Sequence, residues 1–426
     1  MTFYTKILKK FNDDQFLVDS SWTVFGSSVG KGLTFIGLLF VAKNLGSTLY
    51  GVNTFFKSTI ETISFIALFG IHITITTLIA NYKNKNEIKN AVSSVTFFII
   101  SVCFIFSIFY SLMIYDIVAN YFNNFFLGYL LILIGSLSLS LNYFYNGVFA
   151  GLGFFKKNSV IHLISGILNI SFLPLVAIYF SIKGVLIGVV CLFLFTSFLY
   201  ILYLKKEKIL FLTNHNQSLI PIFKISFPIG LQEICFPIYS WGLNFSIIYF
   251  LGNNFLGIYS TVISFYIMAL FVPGILRNVL LRHLSVKNDS DNQFSKTSVF
   301  KNSILINLIS TIVPLIFLNL FSSSLLIFFG VSFEGIEQLI FPVTIMTLVA
   351  SVANPYYQIY ISNNLNWRLF YLRLVKDLFS FLIILLVLIK YNNQSIDVLR
   401  NLIYIASLSS FIQLCFMYFD TQNKIR

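Results

Sequence analysis

The sequence predicts an all-α integral membrane protein: twelve transmembrane helices in two parallel six-helix bundles around a central cavity, with both termini cytoplasmic. Composition, apolar runs and loop charge carry this reading. Mean hydropathy is +0.86, and only 10% of the 426 residues are charged. A soluble chain carries about a quarter charged residues. Apolar runs of the length that crosses a bilayer, about 20 residues, recur from end to end. They are continuous, unlike the ten-residue alternating segments of a barrel. The basic residues favour every second loop. The formal net charge of +13 does not indicate nucleic acid, because Lys and Arg sit in short loops and form no contiguous basic domain.

The N-terminal stretch 1–20 is charged through its first half and has no apolar core, so it is not read as a cleaved signal. Phe3, Ile7, Leu8 and Phe11 share helical spacing, with Lys6, Lys9 and Lys10 on other faces. A short cytoplasmic interfacial helix fits that pattern. The spans then fall near 21–42, 53–79, 92–114, 127–150, 159–180 and 184–204 in a first bundle, 21–204. A cytoplasmic linker, 205–224, leads to 225–250, 257–280, 302–321, 338–361, 369–389 and 399–419 in a second, 225–419. A cytoplasmic tail, 420–426, ends the chain. Residues 43–51 read as the short loop of the first hairpin. The four cysteines lie scattered in apolar runs, with no disulfide or metal spacing.

Counting Lys and Arg tests the topology. Of 28, nineteen fall in segments that twelve spans place inside, three (Lys43, Lys183, Lys390) in opposite loops, and the rest in or at the ends of spans. Adding or losing one span scrambles that bias.

The chain also repeats itself. Residues 45–52, LGSTLYGV, match 251–258, LGNNFLGI, and the same offset pairs Thr54 with Ser260 and Ser58 with Ser264. Six spans per half is even, so both halves enter the membrane in the same sense. A parallel repeat of this kind is a transporter architecture.

These residues resemble the O-antigen flippases among the polysaccharide exporters of the multidrug/oligosaccharidyl-lipid/polysaccharide superfamily. The similarity lies in Ala42-Lys43-Asn44-Leu45-Gly46, Tyr50-Gly51 and Phe69-Gly70-Ile71, then Pro228-Ile229-Gly230-Leu231, Leu251-Gly252, Leu256-Gly257-Ile258-Tyr259-Ser260 and Pro273. Arg282-His283 stand where that family often has proline. The peptidoglycan-lipid flippases usually have more spans, which argues against that branch. The resemblance implies a multi-pass protein of the bacterial inner membrane. It implies movement of an undecaprenyl-pyrophosphate-linked oligosaccharide from inner to outer leaflet, with H+ or Na+ as coupling ion. Membrane lipids and other polysaccharide-assembly proteins are the implied partners; no cofactor and no metal are expected.

Seven charges sit within spans, where each costs about 2.5–3.5 kcal/mol on insertion scales. Lys31, about ten residues from either end of its span, is read as a cation lining the cavity. Glu233 corresponds to Ser27 under the repeat, one turn from Lys31, so the two face one axis at similar depth and can pair until a pyrophosphate competes for Lys31. Lys57 and Glu61 lie one turn apart on one face. Either they neutralise each other, or Lys57 receives the anionic head and Glu61 serves coupling. Arg277 is either a positive-inside anchor or an entrance cation. Lys376 and Asp377 project about 100° apart and need not pair; they stand as substrate-binding and coupling candidates. Arg373 lies close enough to a span end to snorkel. Trp241 is an interface anchor or, eight residues from Glu233, a sugar-stacking platform.

Two rival functions are weaker. An exporter of cationic drugs favours acidic cavity residues, whereas here four in-span bases (Lys31, Lys57, Arg277, Lys376) face three acids. A polymerase or glycosyltransferase needs catalytic groups on a sizeable outer loop. The outer loops are short, and no nucleophile–base constellation, phosphate-binding glycine loop or metal cluster stands out.

Overall fold

A computed structural model describes residues 15–82, 84–115, 124–209, 220–271, 273–274, 293–363, 365–391 and 395–425. Among them every long element is helical. In chain order these are α1 (Gln15–Leu68), α2 (Ile71–Asn81), α3 (Lys85–Met113), α4 (Phe125–Gly151), α5 (Phe155–Lys206) and α6 (Ile220–Leu251). Then follow α7 (Asn253–Ala269), α8 (Gln293–Leu320), α9 (Ser322–Phe329), a 3-10 turn (Val331–Phe333), α10 (Ile336–Ser362), α11 (Asn366–Lys390) and α12 (Ile396–Ile425). Eight described helical stretches are long and apolar enough to cross a membrane. The protein is a multi-pass membrane protein. α11 misses that test because Arg373, Lys376, Asp377 and Lys390 interrupt its apolar sequence.

Two helices are too long for one crossing. α1 has 54 residues and α5 has 52, about 80 Å each at 1.5 Å per residue, against a hydrocarbon core of about 30 Å. Each is broken by one residue. In α1 it is Gly46 (φ 70°, ψ 169°), so the expected loop 43–51 is corrected to helix on both sides of a single glycine. That backbone region is open to glycine and strained for anything else. Gly252, its repeat counterpart, takes the same conformation (φ 95°, ψ 171°) between α6 and α7. In α5 the break falls on Ser181 (φ 52°, ψ −149°). The expected unbroken span 53–79 is also corrected, because Phe69 (φ 42°) and Gly70 (φ 73°) separate α1 from α2.

The chain forms two compact units. One takes the chain up to Val41 and Thr59–Gly230; the other takes Ala42–Ser58 and Leu231 onward. In the first, α4 is the hub and packs against α2, α3 and α5. Lipid offers no hydrophobic drive between helices, so small residues and hydroxyls make the seams. Ser64 Oγ donates to the Ser136 carbonyl at 3.0 Å, Ser107 and Ser136 share a hydrogen bond of 3.2 Å, and Cys103 Sγ lies 3.4 Å from Ser140 Oγ.

In the second unit α10 is the hub, packed on α7, α8, α11 and α12. Tyr356, Tyr360, Leu369 and Met417 form its core. Trp241 is buried, stacked on Phe245 at 5.5 Å and tilted against Phe55 at 5.9 Å. It is a core residue, which corrects its reading as an interface anchor. The repeat segments meet here. Thr54 Oγ1 donates to Ser260 Oγ at 3.0 Å, each residue touching its own counterpart. Gly51 lies against the Asn253 carbonyl and Gly257 against the Ser47 carbonyl, so close that neither admits a Cβ. Ser47 Oγ also hydrogen-bonds Asn254 Oδ1 and the Ser332 carbonyl.

Candidate functional site

The first unit presents Lys31 on α1. Gly30, beside it, lets α1 touch α5: a Cβ there would fall 2.5 Å from the His162 carbonyl oxygen. The approach brings the Lys31 charge to bear on the His162 ring. Behind His162 runs a chain of polar side chains. Asn146 Nδ2 donates to His162 Nε2 at 3.3 Å, Asn158 Nδ2 to Asn146 Oδ1 at 2.9 Å, and Tyr200 Oη to Asn158 Oδ1 at 2.6 Å. A buried amide without a partner is expensive, and here each satisfies the next, so the network holds α4 and α5 in one register. Nearby on these helices, Asn142 donates to Thr196 Oγ1 at 2.7 Å and accepts from Ser197 at 2.8 Å. His162 is thus a member of the network beside Lys31.

Glu61, on the same unit, is half-buried and acts electrostatically on Tyr143, whose ring packs on Phe65 at 5.2 Å. Lys57 is half-buried one turn earlier on α1, and the boundary between the units falls between the two residues. The two ends of α5 meet: Lys157 Nζ, near its start, binds Glu207, just past its last residue, at 2.8 Å and sits 3.9 Å above the Phe154 ring. The hydrogen bond from Lys157, with the Lys157, Lys85 and Lys206 charges, holds the Glu207 carboxyl below its ordinary value.

In the second unit the charged candidates gather between α6, α10 and α11. Arg373 Nη1 donates to the Gln232 carbonyl at 3.4 Å, its guanidinium lies 5.2 Å from the Tyr357 ring centre, and Glu233 and Asp377 act on its charge. Arg373 therefore turns into the protein, which corrects its reading as a snorkelling residue. Lys376 Nζ and Asp377 Oδ1 lie 2.8 Å apart, so the two neighbours do pair. The directions of their Cα–Cβ bonds did not forbid it, because the long lysine stem bends back to the next carboxylate. Tyr239 and Ser380 hydroxyls are 3.0 Å apart nearby, and Tyr357 Oη donates to Gln413 Oε1 at 2.9 Å. Arg277 lies outside the described residues. No group of three or more potential metal ligands occurs among the described residues.

Charged side chains, amides and hydroxyls are expensive inside a bilayer, and their gathering here marks candidate sites for a polar cargo or an ion. The comparisons with known proteins fit that chemistry. Residues 16–276 match the model of a family described as polysaccharide biosynthesis protein. The chain belongs to that family. No curated protein matches it. Solved structures similar to this polysaccharide biosynthesis protein include an inward-facing multidrug resistance MATE family transporter of the MOP superfamily. It has TM-score 0.70 at 15% identity, over 92% of this chain and 94% of that one. An outward-facing one aligns with TM-score 0.64 at 14% identity, over 96% and 95%. A MOP superfamily transporter from Pyrococcus furiosus, described as having a binding pocket of reverse polarity, aligns with TM-score 0.59 at 16% identity, over 95% and 94%. At these identities the likeness establishes a MATE-like transporter fold.

Proposed function

We propose that this protein moves an undecaprenyl-pyrophosphate-linked oligosaccharide from the inner to the outer leaflet of the bacterial inner membrane, by alternating access coupled to H+ or Na+. The family match carries the polysaccharide half of the reading, and the fold carries the transport half. The basic in-span residues make the substrate an anion. Lys31 receives the pyrophosphate from the first unit, while Lys376, with Arg373 beside it, offers positive charge in the second. Lys57 and Arg277 extend the basic path. Glu61, Glu233 and Asp377 balance these charges when no anion is bound and are the candidates for coupling. The reading includes twelve crossings, six in each half, with α1 and α5 each crossing twice around Gly46 and Ser181. An exporter of cationic drugs is disfavoured by the same excess of bases.

Deleting the gene tests the function: undecaprenyl-linked repeat units should accumulate on the inner leaflet and surface polysaccharide should fall. If the linked unit reaches the outer leaflet at the normal rate without this chain, the reading is wrong. Lys31→Ala, with insertion verified, should slow transport at least about tenfold, the loss of one charge-assisted hydrogen bond, and Lys31→Arg should retain most of it. Unchanged transport in Lys31→Ala removes Lys31 from the substrate path.

A further inference from the structure

The chain of hydrogen bonds behind His162 has a direction. Tyr200 Oη donates to Asn158 Oδ1, Asn158 Nδ2 to Asn146 Oδ1, and Asn146 Nδ2 to His162 Nε2. A side-chain amide carries an acceptor and a donor and can be turned either way round, so two amides in series do not choose the direction. The ends choose it. Tyr200 is 2% exposed, and its hydroxyl makes no other hydrogen bond among the described residues. Reversing the chain makes the Tyr200 oxygen an acceptor and leaves a buried O–H without a partner, which is costly. Tyr200 therefore donates, and His162 Nε2 is held as an acceptor. The ring is then neutral, with its hydrogen on Nδ1.

The surroundings of His162 contain one charge that bears on it. α1 brings Lys31, one residue past the point where Gly30 meets the His162 backbone, and the Lys31 charge acts on the ring. α4 brings Asn146 and, one turn earlier, Tyr143, on which Glu61 of α1 acts and against which His72 of α2 packs at 6.1 Å. α5 itself brings Asn158 and Tyr200, both buried. Lys31 is exposed, so an anion can reach it.

We infer that His162 is a proton site linked to the anion on Lys31: it is neutral while no anion is bound and takes up one proton from water when an anionic head group settles against Lys31. The inference rests on the proposed role of Lys31 as receiver of that head group. Two positive charges side by side in a low dielectric repel, and an anion between them reverses the sign of the interaction. The ring then gains a hydrogen on Nε2. Asn146 and Asn158 turn over, so that Asn146 Oδ1 accepts from the ring and Asn158 Nδ2 donates to Tyr200 Oη. Anion and proton therefore strengthen each other's binding by one common factor. The proton enters with the cargo and leaves with it on the far side. It neutralises part of the load and is not the driving ion, a role that stays with the in-span acids. Tyr200 is a positioning residue: it touches neither anion nor proton, and it sets the direction of the chain.

The test uses the full chain in detergent with methanedisulfonate, a dianion at every pH used, as the probe. Its affinity should rise as the pH falls, approaching about tenfold per pH unit where the empty site is neutral and the occupied one protonated. His162→Gln keeps an acceptor for Asn146 and cannot take the proton, so it should lose that slope. Tyr200→Phe removes the donor that sets the direction and should bind the proton about tenfold more tightly, which moves the slope to higher pH. A merely structural role for either residue would weaken binding at every pH and leave the slope where it was. Should these variants fail to give monodisperse protein, the unaltered chain decides. With its four histidines labelled by 15N, one ring should pass from the Nδ1–H form to the charged form when the anion is added, and should not do so in Lys31→Ala. Binding that is lost in Lys31→Ala but indifferent to pH, a slope that survives His162→Gln, or histidine signals that ignore the anion overturn the proton site and leave the proposed function standing. Methanedisulfonate that binds Lys31→Ala as tightly as the parent removes Lys31 from the anion path, and the proton site falls with it.

Discussion

Asp377 shows how much one carboxylate does inside a membrane. It is buried, pairs with Lys376 at 2.8 Å and acts on Arg373. Asp377→Asn leaves two bases facing each other with less compensation. Breaking one side of a buried pair costs about 3 kcal/mol at the lower end of the measured range. A lowered melting temperature in detergent is expected, and Lys376→Met in the same background should recover much of it because it removes the uncompensated charge. A single variant as stable as the parent would mean that Asp377 is not the anchor of this cluster. The in-span charges themselves were legible in the sequence, since a charge in an apolar run stands out. Their partners were not. Lys376 and Asp377 looked divergent from helix angles alone, and Asn146, Asn158 and Gln413 carried no pattern. In a chain rich in Asn and Lys, a single amide is indistinguishable from background until a partner across a helix seam is visible.

The helices are punctuated by single residues. Gly252 adopts φ 95° with nothing within 4 Å of where a Cβ would stand, so Gly252→Ala meets only backbone strain, about 1–3 kcal/mol. Gly257→Ala carries no such strain but drives a Cβ into the Ser47 carbonyl, which cannot swing aside, and should be worse. Ser181→Gly, by contrast, relieves a positive φ in α5 and should raise stability by about 1 kcal/mol. The expected order of thermal midpoints is Ser181→Gly, parent, Gly252→Ala, Gly257→Ala. A Gly257→Ala protein more stable than Gly252→Ala would contradict the close approach. The positions of the apolar runs were readable because bilayer thickness fixes their length. The breaks were not. The stretch around Gly46 has the polar, glycine-bearing look of a loop, yet its other residues are helix-compatible and only the glycine leaves the helical region. The split at Phe69–Gly70 fell inside an apolar run that hydropathy treats as uniform.

At the scale of the molecule, the family and the MATE-like fold agree with the transporter reading that the repeat and the loop charges supported. Twelve crossings with cytoplasmic termini are testable by reporter fusions. A phosphatase reporter, active only outside, should be silent after 208 and 296 and active after Lys183 and Lys390. Activity at 208 would shift every later crossing and remove the charge bias on which the topology rests. The contact of Thr54 with Ser260 has a consequence of its own. A seam in which a position meets its own counterpart is symmetric under exchange: Thr54→Ser together with Ser260→Thr moves one methyl group across the seam and leaves both hydroxyls, and the volume between them, as they were. At such a position the two halves of the chain are not separate surfaces that must be matched to each other. They are one surface written twice, and a change in either copy is answered most simply by the opposite change in the other.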